Sequence, residues 1–127
     1  MLSKKDKAIQ FGITQPDIVE RFTSKLKEMP NGCIEYQGAM WDKRDLYRGF
    51  SITIEIEDDS NIDVKVKSHR FAYALAKGFD ALPKSGIFTG DSKIINHLCH
   101  NKKCCNPKHL NVLTSRENLL EENKKPA

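Results

Sequence analysis

The 127-residue chain lacks any long hydrophobic run. Only 39% of its residues are hydrophobic, and no stretch approaches the roughly 20 apolar residues that a membrane-spanning helix needs. Residues 1–7 are basic, but no apolar segment follows them, so we expect neither a secretory signal nor a membrane partner. We therefore expect an intracellular protein.

Cysteine is also scarce, with four residues. Cys104 and Cys105 are adjacent, which is awkward for two ordinary disulfides, and cysteines in a reducing compartment serve more often as metal ligands. A mean hydropathy of −0.57 indicates a modest core, and small polar domains often gain stability from a metal or a partner subunit. The net charge of +4 suits a polyanionic partner only mildly.

The pattern of apolar residues predicts one α+β domain over residues 14–122, between a flexible basic arm (1–13) and a tail (123–127). A helix is predicted from Thr14, a good cap, to the Pro30–Gly32 stop. The remaining predictions are a strand (33–37), a hairpin (50–57 and 62–67), a helix (69–77), two short strands (94–95 and 110–113) and a last helix (114–122).

Three zinc-binding side chains recur at equal five-residue steps: Cys99, Cys104 and His109. Structural zinc sites use four thiolate or imidazole ligands, and Cys33 is the only cysteine elsewhere, so we predict it as the fourth. Adjacent cysteines rarely bind one ion together, and the even spacing favours Cys104 over Cys105. The alternative is four free buried thiols.

Two further residues suit hydrolysis of phosphodiesters, a reaction that needs a base to activate water and a cation to stabilise the developing charge. His97 can accept a proton, and Asn118 offers Mg²⁺ a hard carbonyl oxygen. Singly, such a histidine is more often structural and such an asparagine more often a helix cap. A strand–loop–strand followed by a helix would bring both into one pocket. His100 is expected to face solvent or phosphate.

Residues 97–118 resemble the His-Cys box of the I-PpoI type of homing endonuclease and, more broadly, the zinc-containing HNH endonucleases of the His-Me finger (ββα-metal) superfamily, many of them phage- or intron-borne. Residues 32–38 (GCIEYQG) and 69–75 (HRFAYAL) also resemble this family. The resemblance implies antiparallel β-hairpins and a C-terminal zinc-stabilised ββα-metal finger at about residues 93–122. It also implies action in the cytoplasm of a prokaryotic or phage-infected cell, or in a eukaryotic nucleus.

The resemblance assigns roles to particular residues. His97 would be the general base and Asn118 the protein ligand of one catalytic Mg²⁺, for which Mn²⁺ can substitute. An arginine on a preceding strand would contact the scissile phosphate, and Arg48 is the candidate, with Arg44 as runner-up. Asn106 would brace the loop through backbone hydrogen bonds.

Two departures from the family limit the resemblance. The chain has no cysteine after Cys105, so the second zinc site of the I-PpoI type is missing. Asn96 stands where many HNH enzymes have an acidic residue beside the base.

The implied partner is double-stranded DNA, and cutting both strands with one site per chain would require a homodimer. Residues expected to contact DNA are Arg44, Lys65, Lys67, His69, Arg70, Lys102 and Lys103. His69 and Arg70 are equally compatible with plain packing. Two alternatives stay open: a catalytically inactive zinc-stabilised DNA-binding module, and a zinc-clasped structural protein.

Overall fold

The computed structural model describes residues 4–40, 48–55, 60–83, 93–99, 101 and 103–114. Its α-helices are α1 (Lys4–Gly12), α2 (Pro16–Thr23) and α3 (Ser68–Lys77). Its strands are β1 (Leu26–Glu28), β2 (Ile34–Tyr36), β3 (Ala39–Met40), β4 (Arg48–Glu55), β5 (Asn61–Lys67), β6 (Lys93–His97) and β7 (Leu110–Thr114). Short 3₁₀ helices cover Phe79–Ala81 and Pro107–His109.

All strand pairings are antiparallel within the described residues: β1 with β2, β3 with β4 and β4 with β5, and β6 with β7. The β4–β5 hairpin is confirmed, because apolar residues at alternate positions, such as the paired Ile52 and Val64, face the core. The helix predicted over residues 69–77 is also confirmed, and Gly78 ends it with a positive φ of 96°. The small mixed α+β class follows.

An aromatic cluster joins four elements at the centre of the core. Phe22 of α2 stacks on Tyr36 of β2, with ring centroids 5.0 Å apart. Phe71 of α3 lies 4.8 Å from Phe22 and 5.2 Å from Phe50 of β4. Contacts of this length are favourable beyond their burial, so the core fixes α3 against the hairpins.

The flexible arm predicted for residues 1–13 is wrong where the structure describes it. Residues 4–12 form α1, whose Ala8 and Ile9 are fully buried. A Cβ on Gly12 would lie 2.8 Å from the Phe71 ring, so glycine permits the close approach of α1 to α3. Asp6 is fully buried as well and pairs with Arg70 of α3 at 3.0 Å.

The helix predicted from Thr14 is shorter than expected. It ends at Thr23, and the chain then turns into β1, where Leu26 pairs with Tyr36. The strand pairing satisfies backbone groups that a longer helix would have bonded internally, so tertiary contacts override the helical spacing. The last helix predicted after Thr114, and the tail, lie outside the described residues.

Candidate metal centre and active site

Four side chains predicted as zinc ligands come together in the structure. Donor atoms of Cys33, Cys99, Cys104 and His109 all lie within 4.8 Å of one another. His109 Nδ1 is 3.6 Å from Cys33 Sγ and 3.5 Å from Cys104 Sγ. A tetrahedral zinc with ordinary Zn–S and Zn–N bonds has an S···N edge of about 3.6 Å. The donor set and its spacing therefore fit a metal such as zinc.

Cys33 reaches the cluster from the turn between β1 and β2. Gly32 has a positive φ of 90°, and Asn31 Oδ1 accepts a hydrogen bond from the Cys33 amide. Met29 N–H donates to the Cys33 carbonyl at 2.7 Å, which closes the hairpin. These hydrogen bonds fix the backbone of Cys33, the residue immediately before β2.

The other three ligands lie on the loop between β6 and β7. Leu98 N–H donates to the His109 carbonyl at 2.7 Å, so the two ends of the loop stay together. Asn106 accepts from the Lys108 amide and donates to the Gly32 carbonyl at 2.8 Å. These bonds confirm the bracing role predicted for Asn106.

The loop is also attached to β2. Cys105 N–H donates to the Ile34 carbonyl, and Glu35 forms an isolated antiparallel bridge with Cys104. The Glu35 carboxylate accepts a hydrogen bond from the Asn101 amide at 2.8 Å. Backbone pairing with β2 therefore helps the metal to hold the early ligand close to the late ligands.

The pKa values of the two adjacent cysteines differ little, because both thiols are buried. Burial raises the pKa of the Cys104 thiol to about 12 and that of Cys105 to about 11. Burial also raises the pKa of Cys99. Thiolates at the cluster therefore need a compensating positive charge, which a divalent cation supplies. Cys105 lies outside the cluster and packs in the hydrophobic core.

His97, the predicted base, is the last residue of β6 and contacts a second histidine. Its ring centroid lies 4.6 Å from that of His69, the second residue of α3, with an angle of 61° between the planes. The two residues are 7% and 6% exposed. Burial, with smaller contributions from His97, Lys67 and Arg70, holds the pKa of His69 well below its usual value, so His69 is neutral near pH 7.

The side chain of the neighbouring Asn96 forms a hydrogen bond across the β6–β7 sheet. Its side-chain amide donates to Asn111 Oδ1 at 3.1 Å, across the β6–β7 pair. Successive strand residues point to opposite faces, so Asn96 points away from the side occupied by His97.

Sequence reasoning missed the His69–His97 contact. The signal available was helical spacing: His69 and Ala72 are three residues apart and both buried on α3, beside Ser68 and Phe71. This pattern places His69 on the inner face of the helix, but the partner 28 residues later on β6 is set by the fold.

The other residues singled out from the sequence fall into three groups. Asn118, Arg44, Lys102 and His100 lie outside the described residues. Lys65 and Lys67 of β5, Lys103 of the loop and Arg48 at the start of β4 are partly exposed. His69 is buried, and Arg70 pairs with Asp6 and donates to the Pro83 carbonyl at 2.7 Å. The structure therefore places His69 and Arg70 in packing, the alternative to phosphate contact.

Fold and site together define a small α+β domain with a Cys₃His cluster suited to a metal ion, close in sequence to a buried histidine. Residues 66–120 match the model of the HNH endonuclease family. The matched segment contains His97, Asn118 and three of the four clustered ligands, and it confirms the resemblance to HNH endonucleases. The members of this family are described as endonucleases, and HNH nucleases act on DNA.

The other comparisons add no relative. No curated protein and no solved structure matches the chain. Within the part of the chain that the structure describes, no helix combines the length and hydrophobicity needed to cross a bilayer.

Proposed function

We propose that the chain is a Mg²⁺-dependent endonuclease that hydrolyses phosphodiester bonds of double-stranded DNA with His97 as general base. The supporting observation is the position of His97 inside the matched segment, at the end of β6 and two residues before the ligand Cys99. Pairing of His97 with Leu110 and the Leu98–His109 hydrogen bond fix the backbone on both sides. A fixed base needs little reorganisation to reach a productive geometry.

In this proposal His97 accepts a proton from the attacking water. Its Nε2 atom is buried, so we assign proton acceptance to Nδ1. As the water oxygen bonds to phosphorus, the bond to the 3′ oxygen breaks, and Arg48 would stabilise the charge on the phosphate. Asn118 would hold Mg²⁺, or Mn²⁺ in its place, which supplies positive charge against the phosphate and the leaving oxygen.

The rest of the domain would hold the base and the DNA. Zinc in the Cys33–Cys99–Cys104–His109 cluster would be structural, because all four positions are filled by protein. Lys65, Lys67 and Lys103, with Arg44 and Lys102, would contact the DNA backbone.

The predicted homodimer, the homing or phage role and the intracellular location belong to the same proposal. We also propose that one nuclease domain extends from α1 to about residue 122, since α1 packs into the core.

The decisive experiment incubates purified protein with supercoiled plasmid, with and without Mg²⁺. We expect nicked or linear product only with Mg²⁺, and linear product without a nicked intermediate would support a homodimer. His97→Ala should reduce the cleavage rate by at least about 100-fold, the usual contribution of a general base. Leu98→Ala, at the exposed position next to His97, is the matched control and should cleave normally.

Zinc content and DNA binding must be measured on the same samples. His97→Ala should keep both, since His97 is not among the clustered ligands. Cleavage by His97→Ala at the wild-type rate would remove His97 from the base role. DNA binding without cleavage by the wild type would instead indicate the inactive DNA-binding module.

A further inference from the structure

We propose that His69 is a positioning residue that orients the ring of His97 for catalysis. The inference rests on the proposed role of His97 as base. Its starting point is the ring contact between α3 and β6, at 4.6 Å between centroids and 61° between planes.

The contact restricts His97 because both rings are enclosed by protein. At 6% and 7% exposure, neither ring can rotate freely without displacing core atoms. His97 lies on β6, where sheet pairing fixes its backbone but leaves the ring torsion to its neighbours. The edge-on packing of the His69 ring limits that torsion, as hydrogen-bonded outer-shell partners do for metal-binding histidines in other sites.

The support behind His69 is itself rigid. Phe71 and Ala72 of α3 are buried in the core, and α3 also packs against the 3₁₀ helix that carries His109. On the other side, Arg70 ties α3 to Asp6 of α1. Helix α3 therefore links the core, α1 and the loop between β6 and β7 to the ring of His97.

The ring of His69 is uncharged as well as enclosed by protein. His69 stays neutral near pH 7, so it adds no positive charge beside the base. A buried, uncharged ring with a fixed orientation is well suited to hold a neighbouring imidazole.

Steady-state plasmid nicking with three variants tests the inference. His69→Ala should lower kcat by about 10- to 100-fold, the range seen when an outer-shell partner of a metal-binding histidine is removed, while KM changes less than about twofold. His69→Phe keeps a ring and should recover most of kcat. Leu75→Ala, a half-buried residue of the same helix, is the control for lost packing and should keep the wild-type kcat.

All rates are normalised to folded protein with its full zinc content. Unchanged kcat in His69→Ala would overturn the inference, as would a rise in KM alone, which would indicate phosphate contact. Equal losses in His69→Ala and His69→Phe would exclude the ring contact as the cause. No cleavage by the wild type would refute the proposed function and the inference with it, whereas the other outcomes leave the proposed function standing.

Discussion

Cys104 and Cys105 show how far the spacing of residues along the chain can predict which of two adjacent side chains is a metal ligand. The even spacing of the ligands predicted Cys104, and its sulfur does lie in the cluster, 3.5 Å from His109 Nδ1. Cys33 could be predicted because it was the only remaining cysteine away from the loop. Ligand chemistry is therefore readable from sequence when few donors are available.

The environment of His69 could not be predicted in the same way. Its burial depends on β6, and the pKa of a histidine depends on what surrounds it from every side. The groups that face it are His97 of β6, Lys67 at the end of β5 and Arg70 of α3, and burial has a larger effect than any of them.

The lowered pKa of His69 predicts a pH-dependent stability. In the unfolded chain His69 binds a proton near pH 6.5, while in the folded protein it does so only at lower pH. Below about pH 6.5 the unfolded state binds more protons, so the free energy of unfolding falls as pH falls. Denaturant titrations from about pH 7.5 to about pH 5.5 should show this fall in the wild type and a smaller one in His69→Phe.

Both proteins share the same metal ligands, so the pH dependence of metal binding cancels in the comparison. Parallel stability curves for the two proteins would contradict the assignment of a lowered pKa to His69.

At the scale of elements, local patterns predicted what local interactions determine. The alternation of β4 and β5 and the helical spacing of α3 are visible in short windows, and each element formed close to its predicted bounds. Helix α1 was missed because its sequence, KKDKAIQFG, has too few apolar residues for a clear period. Its burial depends on Phe71 and Arg70, more than 50 residues further along.

The Asp6–Arg70 pair should make α1 important for stability. Replacing Asp6 by asparagine removes the charge that balances a mostly buried guanidinium, so we expect the free energy of unfolding to fall by about 2–4 kcal/mol. Urea denaturation of the zinc-loaded protein measures this loss.

The matched control is Glu20→Gln, the same chemical change at an exposed position of α2, which should alter stability by less than about 0.5 kcal/mol. Equal effects of the two substitutions would mean that the ion pair contributes nothing specific.

For the whole molecule, the free energy of metal binding is comparable with the stability of the fold. Structural zinc sites contribute about 10–16 kcal/mol in small zinc-finger peptides, and domains of this size are stable by about 5–15 kcal/mol. A chain that is only 39% hydrophobic should therefore depend strongly on its metal.

Chelation should consequently lower the melting temperature by tens of degrees or unfold the protein, and zinc, but not Mg²⁺, should restore it. Circular dichroism during heating measures this, with metal content determined in parallel. Cys33→Ser should behave like the chelated protein.

Cys105→Ser, the adjacent buried thiol outside the cluster, should retain about one zinc per chain. A normal melting curve for Cys33→Ser with full zinc content would exclude Cys33 as a ligand.

The position of Cys33 also bears on how this domain can be dissected or transplanted. The segment that matches the HNH family begins at residue 66, so it carries three ligands of the cluster and leaves the fourth on the β1–β2 turn. It also leaves behind Ile34 and Glu35, which pair with the loop between β6 and β7. A graft of residues 66–120 onto another scaffold would therefore deliver an open three-ligand site, and a portable version of this domain must include the early hairpin.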